Sequence, residues 1–230
     1  MKSIVYFTDD LSSNGVKRVF EKLNPVLGKK IAVKLHSGEK GNQNYIRPEF
    51  WQDLIYSLNG TVVECNTAYP GARNTTKKHR QLISEHEWDK YFKVELLDAE
   101  EPDVVLNIPN GKIIKVDYVG KGIVNYDSML VLSHFKGHIA YINVMKNMSV
   151  DCDCCDVVED PCMKDIGILA SLDPIAVDQA CLDLIKAAKD DPGQAHFLER
   201  VNSRQGEHTI EAAAELGFGS REYELMNIDE

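Results

Sequence analysis

The 230 residues, 43% hydrophobic and 27% charged, are enough for one well-buried core and have the composition of an ordinary globular protein. A net charge of −10, from 26 Lys and Arg against 36 Asp and Glu, excludes the positive footprint that phosphate-backbone binding requires, so no nucleic-acid partner is expected. No run of about 18 apolar residues exists, so no membrane-spanning helix is expected either.

Residues 1–10 carry one cation and a short apolar stretch, which reads as a first strand over Ser3–Phe7 rather than as a signal peptide. Ser12–Leu23 follows as a helix, with Ser12 or Ser13 as cap and Val16, Val19, Phe20 and Leu23 on one face. Lys30–Leu35 is a second strand. Arg47–Leu58 is a helix with Pro48 in its first turn, and Thr61–Cys65 a third strand. Thr75–His86 reads as a polar-faced helix, on which Lys77-Lys78-His79-Arg80 is a solvated face. Val104–Ile108 and Ile113–Val119, joined at Pro109-Asn110-Gly111, form a predicted β-hairpin. Met129–Ser133 and Ile139–Met145 are β-branched runs suited to buried strands. Ile166–Ala170 is another strand, followed by a helix with Asp173 as cap and Pro174 at its first position. Helices around Ala195–Val201 and Ile210–Leu216 precede a last strand at Tyr223–Ile228. This order predicts one α/β domain over residues 1–230, a mostly parallel sheet flanked by helices with an antiparallel hairpin element.

Four of the six cysteines fall between Cys152 and Cys162. With no export signal, they are expected as reduced thiols in a cytoplasmic setting, and metal or redox chemistry explains the clustering better than a disulfide framework. Asp151, Asp153 and Asp156 flank the thiols and disfavour further negative charge, so without a cation the thiols should stay protonated. A bound metal reverses that, stabilising thiolates and carboxylates together. Cys154 and Cys155 are adjacent, so both facing one tetrahedral ion would strain the backbone. Two or three ligands from this loop, completed from elsewhere, fit better. A hard-metal site on the three aspartates lacks the glycine of a calcium loop. The plain alternative is a reduced acidic loop with half-buried thiols.

Three further loops leave predicted strand ends, where ligands of parallel α/β sheets bind. Lys34-Leu35-His36-Ser37-Gly38-Glu39-Lys40-Gly41-Asn42 offers His36 and Glu39 as metal ligands or an acid–base pair, and Lys34 and Lys40 for an anion. Ser133-His134-Phe135-Lys136-Gly137-His138 places two histidines four residues apart, which on strand geometry point the same way. Cys65-Asn66-Thr67-Ala68-Tyr69-Pro70-Gly71-Ala72-Arg73-Asn74 supplies Asn66, Thr67 and Arg73 as donors for an oxyanion or phosphate, or is structural with Cys65 a small buried residue. Cys181 is assigned to the core.

These motifs, with Asp165-Ile166-Gly167-Ile168-Leu169-Ala170-Ser171-Leu172-Asp173-Pro174-Ile175-Ala176-Val177-Asp178, resemble the family numbered 362 among the domains of unknown function. The resemblance runs from about residue 30 onward. It implies an iron–sulfur association, though the ferredoxin-type Cys-x-x-Cys-x-x-Cys motif of some members is absent. The family usually continues after Phe-Lys-Gly-His into a Gly-rich segment, whereas His138 passes directly to Ile139-Ala140-Tyr141.

The reading that follows is a metal- or iron–sulfur-binding protein, with redox chemistry and a redox partner as one use of the centre. Its cofactor is an iron–sulfur cluster or a transition metal (zinc or iron), with Cys152, Cys154, Cys155 and Cys162 as ligands and His36, His134 and His138 as contributors. The alternative is an enzyme or binding protein for a small anionic metabolite, in which Lys34, Glu39, Asn66, Arg73 and Lys136 form the site and the cysteines are structural.

Overall fold

Capping side chains and β-branched runs place the elements close to where the sequence puts them. The computed structural model describes residues 2–100, 103–107, 115–132, 139–151, 155 and 158–230. Strand β1 (Ser3–Thr8) leads to α1 (Ser13–Leu23), which begins where the Ser12 hydroxyl accepts the Gly15 N–H and ends at Asn24 in the left-handed region. Between β2 (Ile31–Lys34) and β3 (Thr61–Glu64), a 3-10 turn opened by Pro48 runs into α2 (Gln52–Leu58). The Thr75 hydroxyl caps α3 (Thr76–Glu85). Two short elements that the sequence does not anticipate follow, α4 (Trp88–Tyr91) and β4 (Val94–Leu96).

Strands β5 (Val104–Asn107) and β6 (Val116–Val119) pair antiparallel as a separate two-stranded sheet. The predicted turn at Pro109-Asn110-Gly111 lies outside the described residues. After β7 (Ser128–Val131), β8 (Ile139–Met145) and β9 (Gly167–Ser171) comes α5 (Pro174–Ala187), then α6 (Gln194–Ser203), α7 (Gly206–Glu215) and β10 (Tyr223–Asn227).

The main sheet has eight strands among the described residues, in the order β10-β1-β9-β8-β7-β2-β3-β4. Strands β8, β7, β2, β3 and β4 are parallel neighbours, and β9 alone runs against both of its neighbours. The molecule is therefore the mostly parallel α/β sheet that the alternation predicts. One detail differs: α1 carries the chain from β1 across the sheet to β2, so these two consecutive strands are not neighbours. The true crossover units are β2-α2-β3 and β3-α3-α4-β4. Residues 132–138 alone link the parallel pair β7 and β8, where such a crossover usually takes about a dozen residues or more.

Side-chain alternation along the strands feeds two cores. Val33, Leu130, Ile142 and Ile168 pack with Val16 and Val19 of α1 and Leu54 and Ile55 of α2. On the other face, Val5, Val131, Tyr141 and Leu169 pack with Ala176, Val177 and Ala180 of α5. Each fully buried side chain of this size stabilises the fold by about 1.5–3 kcal/mol.

Asp173 ties α5 to the sheet edge. Its Oδ1 accepts the Ile175 and Ala176 N–H groups, and its Oδ2 accepts the Ser3 hydroxyl and the Ser220 N–H. A Cβ at position 219 would lie 2.0 Å from Asp173 Oδ1, so Gly219 is what lets that loop approach the cap. Asp173→Ala should lower stability by about 2 kcal/mol, the upper range for a lost cap, because cross-chain bonds go with it. Urea unfolding measures this, and an unchanged midpoint would refute the role.

Candidate functional site

Because β8, β7, β2 and β3 are parallel neighbours, their carboxyl ends open on one edge of the sheet. The loops after β2 and β3 meet there, and the chain leaving β8 supplies the cysteine-bearing segment. Residues 133–138, which hold His134, Lys136 and His138, lie outside the described residues, as do Cys152 and Cys154.

The floor of this edge is a buried ionic cluster. Glu39, Arg73, Glu64 and His79 are 4%, 4%, 1% and 0% exposed, far below what such residue types usually show. Arg73 Nε donates to Glu39 Oε2 at 3.1 Å, and a terminal nitrogen lies 3.7 Å from Glu64 Oε2. The other terminal nitrogen donates to the Tyr69 hydroxyl at 2.8 Å. His79 Nε2 stands 3.2 Å from the same Glu64 oxygen, a close contact that is off-line for a hydrogen bond. Its Nδ1 faces Asn66 Oδ1 at 3.3 Å. Asn66 is held in turn by Thr76 and, through its N–H, by both oxygens of Asp98 beyond β4. Among the described residues, Glu64 Oε1 and Ser37 Oγ are buried with no hydrogen-bond partner.

Burial alone pushes the Glu39 carboxyl up, but the Lys40 and Ala72 N–H groups and Arg73 together hold it below the ordinary value of 4.5. Burial likewise raises Glu64, and the His79 contact and the Lys34 ammonium outweigh it, leaving this carboxyl lowered too. Both are carboxylates at neutral pH.

The β2 loop is fixed from behind. The Ser37 carbonyl accepts from Trp88 Nε1 at 3.1 Å and faces His86 Nδ1 at 2.9 Å. Tyr45 stacks on His86, and Gly38, at φ +87°, lies under the Tyr45 ring where a Cβ would come within 2.5 Å. His36 Nδ1 accepts the Gly38 N–H at 3.0 Å, which places the proton of a neutral ring on Nε2.

The cysteine-bearing segment is stitched to that loop. Asn42 Nδ2 donates to the Cys155 carbonyl, Asn44 Nδ2 to the Glu159 carbonyl, and Asn147 Nδ2 back to the Asn44 carbonyl. Its neck is closed by Ser149 and Cys162 and clamped by α6, where Arg200 binds Asp151 at 2.9 Å and His196 meets Glu159 at 2.9 Å. Cys155 is exposed and lines a cleft of about 500 Å³ with Glu39, Lys40, Tyr69, Gly71 and Ala72.

The structure thus gathers Lys34, His36, Glu39, Asn66, Arg73 and Cys155 at one edge. Cys162 sits instead at the neck, half-buried against the α5-side core, where burial raises its thiol. Asp151 is engaged by Arg200 and the Glu159 N–H, which leaves the three-aspartate site without a free first member. Burial first, then Asp98, pushes the Cys65 thiol up to about 11, and burial pushes Cys181 to about 12, so both stay protonated. Among the described residues, no group of three or more His, Cys, Asp or Glu side chains stands in metal-binding geometry.

Two expectations change. The segment Lys77-Lys78-His79-Arg80 is not wholly a solvated face, because His79 turns inward to Glu64 while its neighbours stay exposed. Arg73 is not an open anion donor, since two carboxylates and a phenol occupy it. Glu64, His79 and Asp98 belong to the buried cluster at this edge or support it, and sequence reasoning did not single them out. The available signal was the single carboxylate at the end of the apolar Thr61–Glu64 strand.

A mostly parallel sheet with polar loops converging on one carboxyl edge defines an α/β protein, and ligands of such sheets bind at that edge. The chain belongs to the family described as Domain of unknown function (DUF362), whose model matches residues 31–141 and 139–183. The two matched stretches overlap at residues 139–141, at the start of β8. No curated protein and no solved structure matches the chain. Among the described residues, no helix is long and apolar enough to cross a membrane.

Proposed function

We propose that this protein binds a transition metal or an iron–sulfur cluster at the mouth of the cleft, through the thiols of the cysteine-bearing loop. The observation that carries this reading is the fastening of the cysteine-bearing segment to the loop after β2, where Asn42 donates to the Cys155 carbonyl and Asn44 to the Glu159 carbonyl. That arrangement fixes an exposed thiol beside the lowered Glu39 carboxylate at the edge where such sheets bind ligands.

The donors fit in part. Cys155 offers a soft ligand, and Cys152 and Cys154, close in sequence, complete a thiolate set of the kind zinc and iron–sulfur centres use. Cys65 and Cys181 do not belong to it. Bound there, the group would supply Lewis acidity or one-electron chemistry. The chain's own residues fix the loop, exclude water from the floor and hold two negative charges nearby. An anion site built on Lys34, Arg73 and Lys136 is less well supported, because Arg73 is already engaged and Lys34 Nζ donates to the Leu35 carbonyl.

Metal and sulfide analysis with an absorption spectrum of the anaerobically purified chain tests the reading. Stoichiometric iron or zinc, lost in a Cys152→Ser/Cys154→Ser/Cys155→Ser triple variant that remains folded, is the expected result. A metal-free chain whose thermal midpoint does not respond to added iron or zinc would sink it.

A further inference from the structure

A second cleft, of about 440 Å³, lies on the α5 side of the sheet between the start of that helix and the loop 217–219. Tyr141 of β8 lines it, is 3% exposed, and has a hydroxyl that makes no hydrogen bond. A buried tyrosine nearly always finds a partner for its O–H, because an unmade hydrogen bond in an apolar site is costly. Leu172 and Phe218, 58% and 45% exposed, and Pro174 form the apolar rim.

The charge pattern limits what fits. Among the described residues, no Lys, Arg or His lines the cleft. The first N–H groups of α5 are taken by Asp173, so the helix start has no donors left for an anion. Each Asp173 oxygen already accepts two hydrogen bonds, which removes it as a strong ligand for a cation. Burial, with the charges of Asp173 and Asp178, raises the Tyr141 phenol to about 12, so it stays a donor.

We propose that this cleft is a binding site for an uncharged, flat ring carrying a carbonyl or ring-nitrogen acceptor, which takes the Tyr141 O–H while its faces rest on Leu172, Pro174 and Phe218. The site shares no residue with the Glu39 cleft and does not depend on the metal reading.

Benzamide and benzoate, alike in shape and different in charge, are the probes, titrated into the full chain while the backbone amides of residues 217–219 are followed by NMR. Benzamide should shift them saturably, and benzoate should bind several-fold more weakly beside Asp173. Tyr141→Phe should weaken benzamide about five-fold, the worth of one neutral hydrogen bond, with no loss of stability. Leu172→Ala, at an exposed position that folding tolerates, should also weaken it. Absence of a saturable shift, equal binding of the two probes, or benzamide affinity unchanged in either variant overturns the proposal.

Discussion

Arg73→Met should destabilise the protein by about 3–5 kcal/mol, the range expected when one partner of a buried ion pair is removed. Glu39 and Glu64 would each lose a cation contact while staying buried, and methionine supplies volume but no charge. The deficit should depend on pH in a defined direction. Both carboxyls are lowered in the folded protein, so their contribution is fully present above the ordinary value of 4.5 and is lost as pH falls through the lowered values. Wild type and variant should therefore differ most near neutrality and converge in acid. Urea unfolding at several pH values checks this. A deficit that does not change between pH 7 and the acid limit of folding would mean the cluster acts by packing alone. Glu39→Gln combined with Arg73→Met should recover part of the loss, since no uncompensated charge then remains at that pair.

Trp88→Ala should be comparably damaging, at about 3–5 kcal/mol, because this indole is fully buried and its removal leaves a large cavity. The same substitution reaches the site, since Trp88 Nε1 holds the Ser37 carbonyl and through it the backbone that carries Glu39. Trp88→Phe separates the two effects. It keeps most of the apolar volume and should cost about 1–2 kcal/mol for the lost hydrogen bond and the smaller ring. Amide exchange over residues 36–42 distinguishes them: faster exchange in Trp88→Phe is expected, and unchanged protection would show that His86 alone secures the loop.

The strands and helices were legible wherever periodicity ran for five residues or more and a cap marked the start, as at Ser12, Thr75 and Asp173. Strand β4 was not, because its three residues Val94–Leu96 include a central glutamate and lack flanking turn signals; its pairing with β3 is a tertiary effect. The site was legible as a set of strand-end loops, and the topology puts those after β2 and β3 beside the segment leaving β8. What sequence alone does not contain is charge partnership. Arg73 reads as an anion donor until Glu39 and Glu64, nine residues or more away along the chain, close around it. His79 reads as surface because three exposed cations surround it, and only the helix's rotation onto Glu64 turns it inward.

The pairing of β1 with β10 has a consequence for how the sheet is closed. Thr8, Asp9 and Arg18 all bind Asp229, and Asp9 and Asp229 are 220 residues apart in the chain. The link between Asn66 and Asp98, across the ends of β3 and β4, spans 32 residues. On a loop-closure scale that grows with the logarithm of length, the first contact costs roughly 2 kcal/mol more entropy than the second. Strand β1 thus finds both of its neighbours, β9 and β10, far along the chain, while Glu39, Glu64, Arg73 and His79 come from segments close in sequence. The ionic floor of the candidate site is local in sequence, its Cys155 segment is joined to the β2 loop across 113 residues, and the opposite border of the sheet is tied shut over 220.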